Sequence, residues 1–217
     1  MLVVFDWDGT LIDSAAKIIN SMQEAARHCR VDVCADDDIK NIIGLSLPKA
    51  LHTLYPQYSL DVREHIQKAY SEAFIAADHV PCDFFHGVEA LLNTLEQQGC
   101  KIAVATGKSR AGLDRVLQRL NWQQRFQATR CADETASKPD PLMLTELMSE
   151  LGYSASETLM VGDTEYDLGM AANAGVASVG VSYGAHSVSR LQKHNPVAII
   201  DTISSLSTVV SELRAMA

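Results

Sequence analysis

The chain has 217 residues, 47% of them hydrophobic, enough for a sizeable core in one domain or in a domain with an insert. Its net charge is −9, and no Lys/Arg cluster reaches the density of a nucleic-acid patch, which argues against binding DNA or RNA. No apolar stretch approaches the ~20 residues of a membrane span, and no basic segment precedes the short apolar run at the N-terminus, so neither a membrane association nor a secretory signal is expected.

In chain order, the apolar run 2–6 predicts a first strand, and helical periodicity follows over 15–29, 36–43, 47–54 and 62–77. A helix over 88–98 is apolar at 88, 91, 92 and 95, with Gly99 as its stop. The run KIAVAT at 101–106 predicts a second strand, followed by a helix over 110–120 and a weaker strand over 126–131. A helix over 141–151 is bounded by Pro141 and Gly152. Strands follow at 158–162 and 176–181, with an edge strand at 197–200. Near-continuous apolar runs suit strands covered on both faces. Their alternation with helices predicts an α/β fold, a Rossmann-like doubly wound parallel sheet.

Residues 7–100 separate the first strand from the second, far more than one crossover helix needs. A helical insert over 15–82 is the economical explanation, leaving a core of 1–14 and 83–217. Its hinges fall near 13–16 and 79–86, with Pro81 and Gly87 punctuating the return. Five cysteines (Cys29, Cys34, Cys82, Cys100, Cys131) form no C-x-x-C pair, so reduced thiols in a cytoplasm are expected, each a small core or surface residue. The seven histidines show no metal-binding spacing, and His52, His65 and His86 are expected to be structural or exposed.

Ligands in open α/β sheets bind outside the carboxyl ends of the strands. Those ends carry Asp6, Asp8 and Thr10 after the first strand, and Thr106 and Gly107 after the second. Lys138 follows in the SKPDP loop, and Asp163 and Asp167 follow the strand at 158–162. Taken singly, each has a bland reading. The paired acids suit a strand-end turn with capping carboxylates, Thr106 a helix cap, Lys138 a solvated loop, and Asp167 a helix N-terminus. Taken together, clustered carboxylates repel at close range, and a hard divalent cation such as Mg²⁺ relieves that repulsion. A lysine, a hydroxyl and a glycine N–H beside them suit a phosphate-like group.

The segments FDWDGTLIDS, VATG, SKPDP and VGDTEYDLGMAANAG, in that order, resemble the four motifs of the haloacid dehalogenase superfamily of phosphohydrolases. Within it, the pattern is similar to phosphoglycolate phosphatases and β-phosphoglucomutases, and the insert resembles that superfamily's helical cap. The resemblance implies that Asp6 is the nucleophile that becomes an aspartyl phosphate and that Asp8 is the general acid and base. Residues i and i+2 of a strand share a face, so two acids address one reaction while Trp7 between them enters the packing. The resemblance further implies Mg²⁺ on Asp6, the Asp8 backbone carbonyl and Asp163, with Thr106 and Lys138 on the phosphoryl group. Asp167 would orient Lys138 or a metal-bound water. Thr10, Gly107, Lys108 and Lys49 are candidate substrate-binding residues. Lys108 and Arg110 read equally as surface cations, and Lys49, in a cap loop at 43–49, reads more readily as an exposed helix residue.

A phosphatase acting on a small phosphorylated metabolite, of the phosphoglycolate or sugar phosphate class, is therefore expected, as a monomer with no nucleic-acid or membrane partner. A sugar phosphomutase shares the same motifs, and a non-catalytic phosphate-binding protein is the alternative from another class. A receiver-type domain lacks both the insert and the D-x-D-G-T turn. A metal-free dehalogenase does not fit the phosphoryl-transfer set, and no cap lysine sits in a pattern demanding Schiff-base chemistry.

Overall fold

Leu2–Phe5 forms a strand, β1, with no exposed surface on either face. The structure is a computed structural model that describes residues 1–77 and 83–216. Pro81, Cys82 and part of the return hinge expected over 79–86 lie outside the described residues. Beside β1 run β2 (Lys101–Thr106), β3 (Ala128–Cys131), β4 (Thr158–Gly162), β5 (Ala177–Val181) and β6 (Ala198–Ile200). All pairings are parallel, in the order β3-β2-β1-β4-β5-β6. Phe5 is level with Val104 on one side and Val161 on the other, so β1, β2 and β4 end at nearly the same height. The order reverses between β1 and β4, the switch point at which such sheets open a crevice.

Helices α1 (Ala15–Cys29), α2 (Asp36–Asn41), α3 (Leu47–Leu54) and α4 (Leu60–Ala76) follow β1 before the chain returns to the sheet. Next come α5 (Val88–Gln97), α6 (Arg110–Leu120), α7 (Leu142–Leu151), α8 (Glu165–Asn173), the single turn α9 (Val188–Leu191) and α10 (Leu206–Met216). Strand alternation divides the sheet's side chains. Val3, Phe5 and Trp7 join one apolar layer with Leu92 of α5 and Val210 of α10, whereas Leu2 and Val4 join another with Met143 of α7 and Met170 of α8. Trp7 is fully buried, edge-on to Phe126 at 6.0 Å. Helices α1–α4 build a third cluster around Met22, Ile39, Leu51, Tyr55 and Ile66, with α1 packed along α4. Each such side chain stabilises by about 1.5–3 kcal/mol on burial.

Several elements depart from expectation. The helix predicted to reach 43 stops at Asn41, because the chain turns through Ile42 to Gly44, whose φ is 94°. Helix α4 begins at Leu60, where the Ser59 side chain accepts from the Val62 N–H. Three helices were not expected: α8, the single turn α9 and α10. Four consecutive residues of α8, Leu168 to Ala171, are buried, so it lacks a polar face in that turn. Helix α10 begins in a Ser- and Thr-rich stretch that reads as loop. Cys29 and Cys34 are half-buried, Cys100 and Cys131 buried, and all four are free thiols. Among the described residues, no helix is long and apolar enough to cross a membrane.

Candidate active site

The chain leaves β1 through a tight turn in which the Trp7 carbonyl accepts from the Leu11 and Ile12 N–H groups. Gly9 sits there at φ 85°, and any side chain on it would strike the Asp163 carboxylate. Asp6 and Asp8 therefore project from the end of the most deeply buried strand. Asp6 is 1% exposed. Its Oδ1 accepts from Lys138 Nζ at 2.6 Å, and its Oδ2 is buried without any hydrogen-bond partner. Asp8 faces elsewhere: its Oδ1 accepts from Ser14 Oγ at 2.7 Å, and Lys108 Nζ lies 2.9 Å from its Oδ2.

Lys138 is fully buried between Asp6 and Asp167, 2.6 Å from each. Burial alone would lower its pKa, but Asp167 and Asp6 outweigh that and hold it above the usual lysine range. Asp167 has a second anchor. Its Oδ2 accepts from the backbone N–H and the hydroxyl of Thr164, closing a capping box at the start of α8. It is thus both a helix-terminal acid and the partner of Lys138. Asp163 is held by Thr10 Oγ1 at 2.9 Å and by the Ala185 N–H at 2.7 Å.

Asp6, Asp163 and Asp167 each present an oxygen within 4.8 Å of the others, and one buried ammonium faces all this charge. Burial, opposed by Lys138 and reinforced by Asp167 and Asp163, pushes the Asp6 carboxyl well above its ordinary range. Burial and then Asp167 push Asp163 up to about 7. An all-oxygen donor set that is short of positive charge, with an unpartnered oxygen on Asp6, fits a hard cation such as Mg²⁺. The Asp8 carboxylate, taken up by Ser14 and Lys108, stands outside that cluster.

The remaining expected residues sort by position. Thr106 Oγ1 accepts from the Lys108 N–H at 3.2 Å, and it is Ser109, not Thr106, that caps α6. A Cβ on Gly107 would meet the Leu45 carbonyl oxygen at 2.6 Å, so the absent side chain admits the insert's loop. Thr10 is fully buried with its hydroxyl spent on Asp163, not open to a ligand. Lys49 donates to the Lys138 carbonyl at 3.1 Å and so braces a backbone instead of facing the cavity. Arg110 is bound to Glu134 and Thr129 at the sheet edge, away from the acids. His52, His65 and His86 are exposed.

Sequence reasoning did not find the contacts that dock the insert here. The Ser46 N–H donates to Ser137 Oγ at 2.9 Å. The Asn41 carbonyl accepts from Tyr166 Oη at 2.8 Å and faces His186 Nε2 at 3.2 Å, while its side-chain oxygen accepts from Arg190 at 2.7 Å. Buried His186 also accepts from the Glu165 N–H through Nδ1, and burial, helped by Arg190, lowers its pKa. The three Asn41 pairs span more than 120 residues of sequence, and no local pattern announces them. Thr164 was findable, since T-x-x-D before an apolar run is a capping box.

A parallel sheet with two acids after β1, a buried lysine joining Asp6 to Asp167 of α8, and helices α1–α4 beside the crevice define an α/β protein with a buried, oxygen-rich acidic site. The family model described as haloacid dehalogenase-like hydrolase matches residues 3–181. The chain belongs to that family and is a phosphatase-type enzyme within it. It is 35% identical over 212 residues to "Probable phosphatase IndB" of Dickeya dadantii, covering 94% of this chain and 91% of that one. It is 27% identical to a phosphoglycolate phosphatase of Vibrio parahaemolyticus, covering 97% and 96%. A crystal structure described as a predicted phosphatase from Clostridium acetobutylicum superposes with a TM-score of 0.86 at 25% identity, over 97% and 98% of the two chains.

Proposed function

We propose that the chain is a Mg²⁺-dependent phosphomonoesterase that works through an aspartyl phosphate on Asp6. The observation that carries this is the Asp6 carboxylate: one oxygen is fixed by Lys138, and the other is buried and unpartnered beside two more acids. An oriented carboxylate with one uncommitted oxygen suits attack on phosphorus. In the first step, that oxygen bonds to phosphorus as the ester oxygen departs, taking a proton from Asp8. In the second, Asp8 takes a proton from water, the water oxygen bonds to phosphorus, and inorganic phosphate leaves Asp6. Ser14 and Lys108 orient the Asp8 carboxylate for both proton transfers. Thr106, Gly107 and Lys138 surround the phosphoryl group, with Lys138 held in place by Asp167. Asp6 and Asp163 would hold Mg²⁺, with the Asp8 carbonyl as a third donor. The ion supplies positive charge against the transferring group.

Residues 15–82 act as a cap over this site. The separate apolar cluster of α1–α4 and the approach of Gly44, Leu45 and Ser46 to Gly107 and Ser137 support that division. Closing such a cap excludes water from the phosphoryl group. The substrate is a small phosphorylated metabolite, and the names of the Vibrio relatives make phosphoglycolate one candidate beside sugar phosphates. The enzyme is taken to be a cytoplasmic monomer. Inorganic phosphate release from a panel of phosphate esters, with and without Mg²⁺, tests the proposal. Release that needs Mg²⁺ and falls by a factor of about 10³ or more in Asp6→Asn is expected. Release that persists in Asp6→Asn would rule out the aspartyl phosphate.

A further inference from the structure

A cavity of about 460 Å³ extends from Asp6 and Asp8 into the space between the sheet and the helical insert. The core contributes its charged lining: Asp6, Asp8, Lys108, Arg115 and Asp133. The insert's contribution differs in kind. Among the described residues, no Asp, Glu, Lys, Arg or His of α1–α4 or their connecting loops lines the cavity. Its walls there are apolar, formed by side chains such as Ile18, Met22, Ile43, Leu45, Tyr70 and Phe74, with Ser46, Gln67 and Ser71 as minor polar relief.

Size and charge both bear on what fills this space. Phosphoglycolate has nine non-hydrogen atoms and displaces on the order of 100 Å³, a few waters' worth at ~30 Å³ each. Most of the cavity and most of its apolar wall would remain wet around it. Its carboxylate also needs a cation. The nearby cations are already engaged: Lys108 pairs with Asp8 and lies over the Phe74 ring at 4.9 Å, Lys17 of α1 lies over the same ring at 4.4 Å, and Arg115 has a partner of its own. A sugar presents hydroxyls on every side, and the insert offers few groups to receive them. An apolar body would instead cover Tyr70, Phe74 and the aliphatic residues beside them and release their water.

We infer that the substrate is a phosphate monoester of an alcohol bearing an apolar body, a ring or an alkyl chain, that the insert's walls enclose. This rests on the phosphatase reading and narrows its substrate class. Binding energy gathered by those walls is remote from phosphorus and can be used to hold the ester in line with Asp6.

The test is kcat/KM of the parent chain with Mg²⁺ on methyl, propyl, butyl and hexyl phosphate, beside phosphoglycolate and glucose 6-phosphate. The alkyl esters above methyl share nearly the same leaving group, so their chemistry is constant and only burial changes. Each added methylene is expected to raise kcat/KM about fourfold until the cavity is filled, and hexyl phosphate is expected to exceed phosphoglycolate by about tenfold or more. Tyr70 and Phe74 are only partly buried. Tyr70→Ser and Phe74→Ser should each flatten the chain-length dependence, and the pair guards against misfolding of either one. Phosphate release from every ester with no rise along the series, or with phosphoglycolate turned over best, would overturn the inference and leave the phosphatase intact. No release from any ester would overturn both.

Discussion

Lys138 neutralises two carboxylates at once, and among the described residues neither has another cation within a hydrogen bond. Its removal therefore exposes repulsion between groups that cannot reach water. Lys138→Met keeps the bulk of the stem and deletes the charge. Breaking one side of a buried ionic cluster typically costs about 3–5 kcal/mol, and a loss of that size in the urea unfolding free energy is expected for the metal-free protein. Lys138→Met combined with Asp167→Asn should recover part of the loss, because the second change removes one of the stranded charges. A single-variant loss under about 1 kcal/mol would mean that Asp6 and Asp167 reach other partners when the lysine is gone. The convergence of Asp6, Lys138 and Asp163 was legible, since Asp6 and Asp163 follow apolar strands and strand ends converge. The use of Thr10 and Lys49 was not. Thr10 was a candidate for a ligand, and Lys49 for a ligand or an exposed helix position, yet Thr10 holds Asp163 and Lys49 braces the Lys138 backbone. A sequence displays a side chain's chemistry but not which neighbour claims it first.

At the scale of elements, the C-terminal end of α2 is where the insert meets the core. Asn41 takes Tyr166 and His186 on its carbonyl and Arg190 on its side chain, and Arg190 is itself fixed by a two-pronged contact to Glu165. Arg190→Ala removes one direct contact and the brace behind it. About 1–2 kcal/mol of docking is expected to go with them. Hydrogen exchange should then accelerate over residues 36–49 while β1 and β4 stay protected, with KM rising more than kcat falls. Equal acceleration in the sheet would show global destabilisation and defeat the latch. The strands were readable because β1, β2 and β4 are apolar on both faces and so appear as unbroken runs. Helix α8 was hidden by the same logic reversed. Its buried turn, Leu168 to Ala171, has no hydrophobic periodicity to read, and its first residues were absorbed into the acidic motif. The latch was beyond reach because Asn41, Tyr166, His186 and Arg190 meet only once α2 is docked against α8, α9 and the loop before α9.

Across the whole molecule, function and stability pull against each other at the switch point of the sheet. Three carboxylates cluster there around one lysine that pairs with only two of them, in a chain already carrying a net charge of −9. Asp163 is pushed up to about 7 by burial and Asp167, and Asp6 is raised for similar reasons. A carboxyl raised in the folded state binds its proton more tightly there than in the unfolded chain. Over the window from the ordinary carboxyl range, about 4, to about 7, the folded state holds the extra proton, and stability falls as pH rises. These acids therefore destabilise the metal-free fold most above pH 7. A divalent cation competes for the same oxygens as the protons. Added Mg²⁺ should raise the melting temperature more at pH 8 than at pH 5.5, by mass action on the folded state alone. Melting curves at both pH values, in Mg²⁺ and in chelator, read the difference directly. In Asp163→Asn the Mg²⁺-induced increment should shrink at pH 8, because a ligand is lost, while the chelator-treated protein becomes less sensitive to pH. An increment of the same size at both pH values, unaffected by Asp163→Asn, would place the ion elsewhere. On the proposed reading, the charge imbalance that weakens the metal-free fold at high pH is the feature that would favour a divalent cation among Asp6, Asp163 and Asp167.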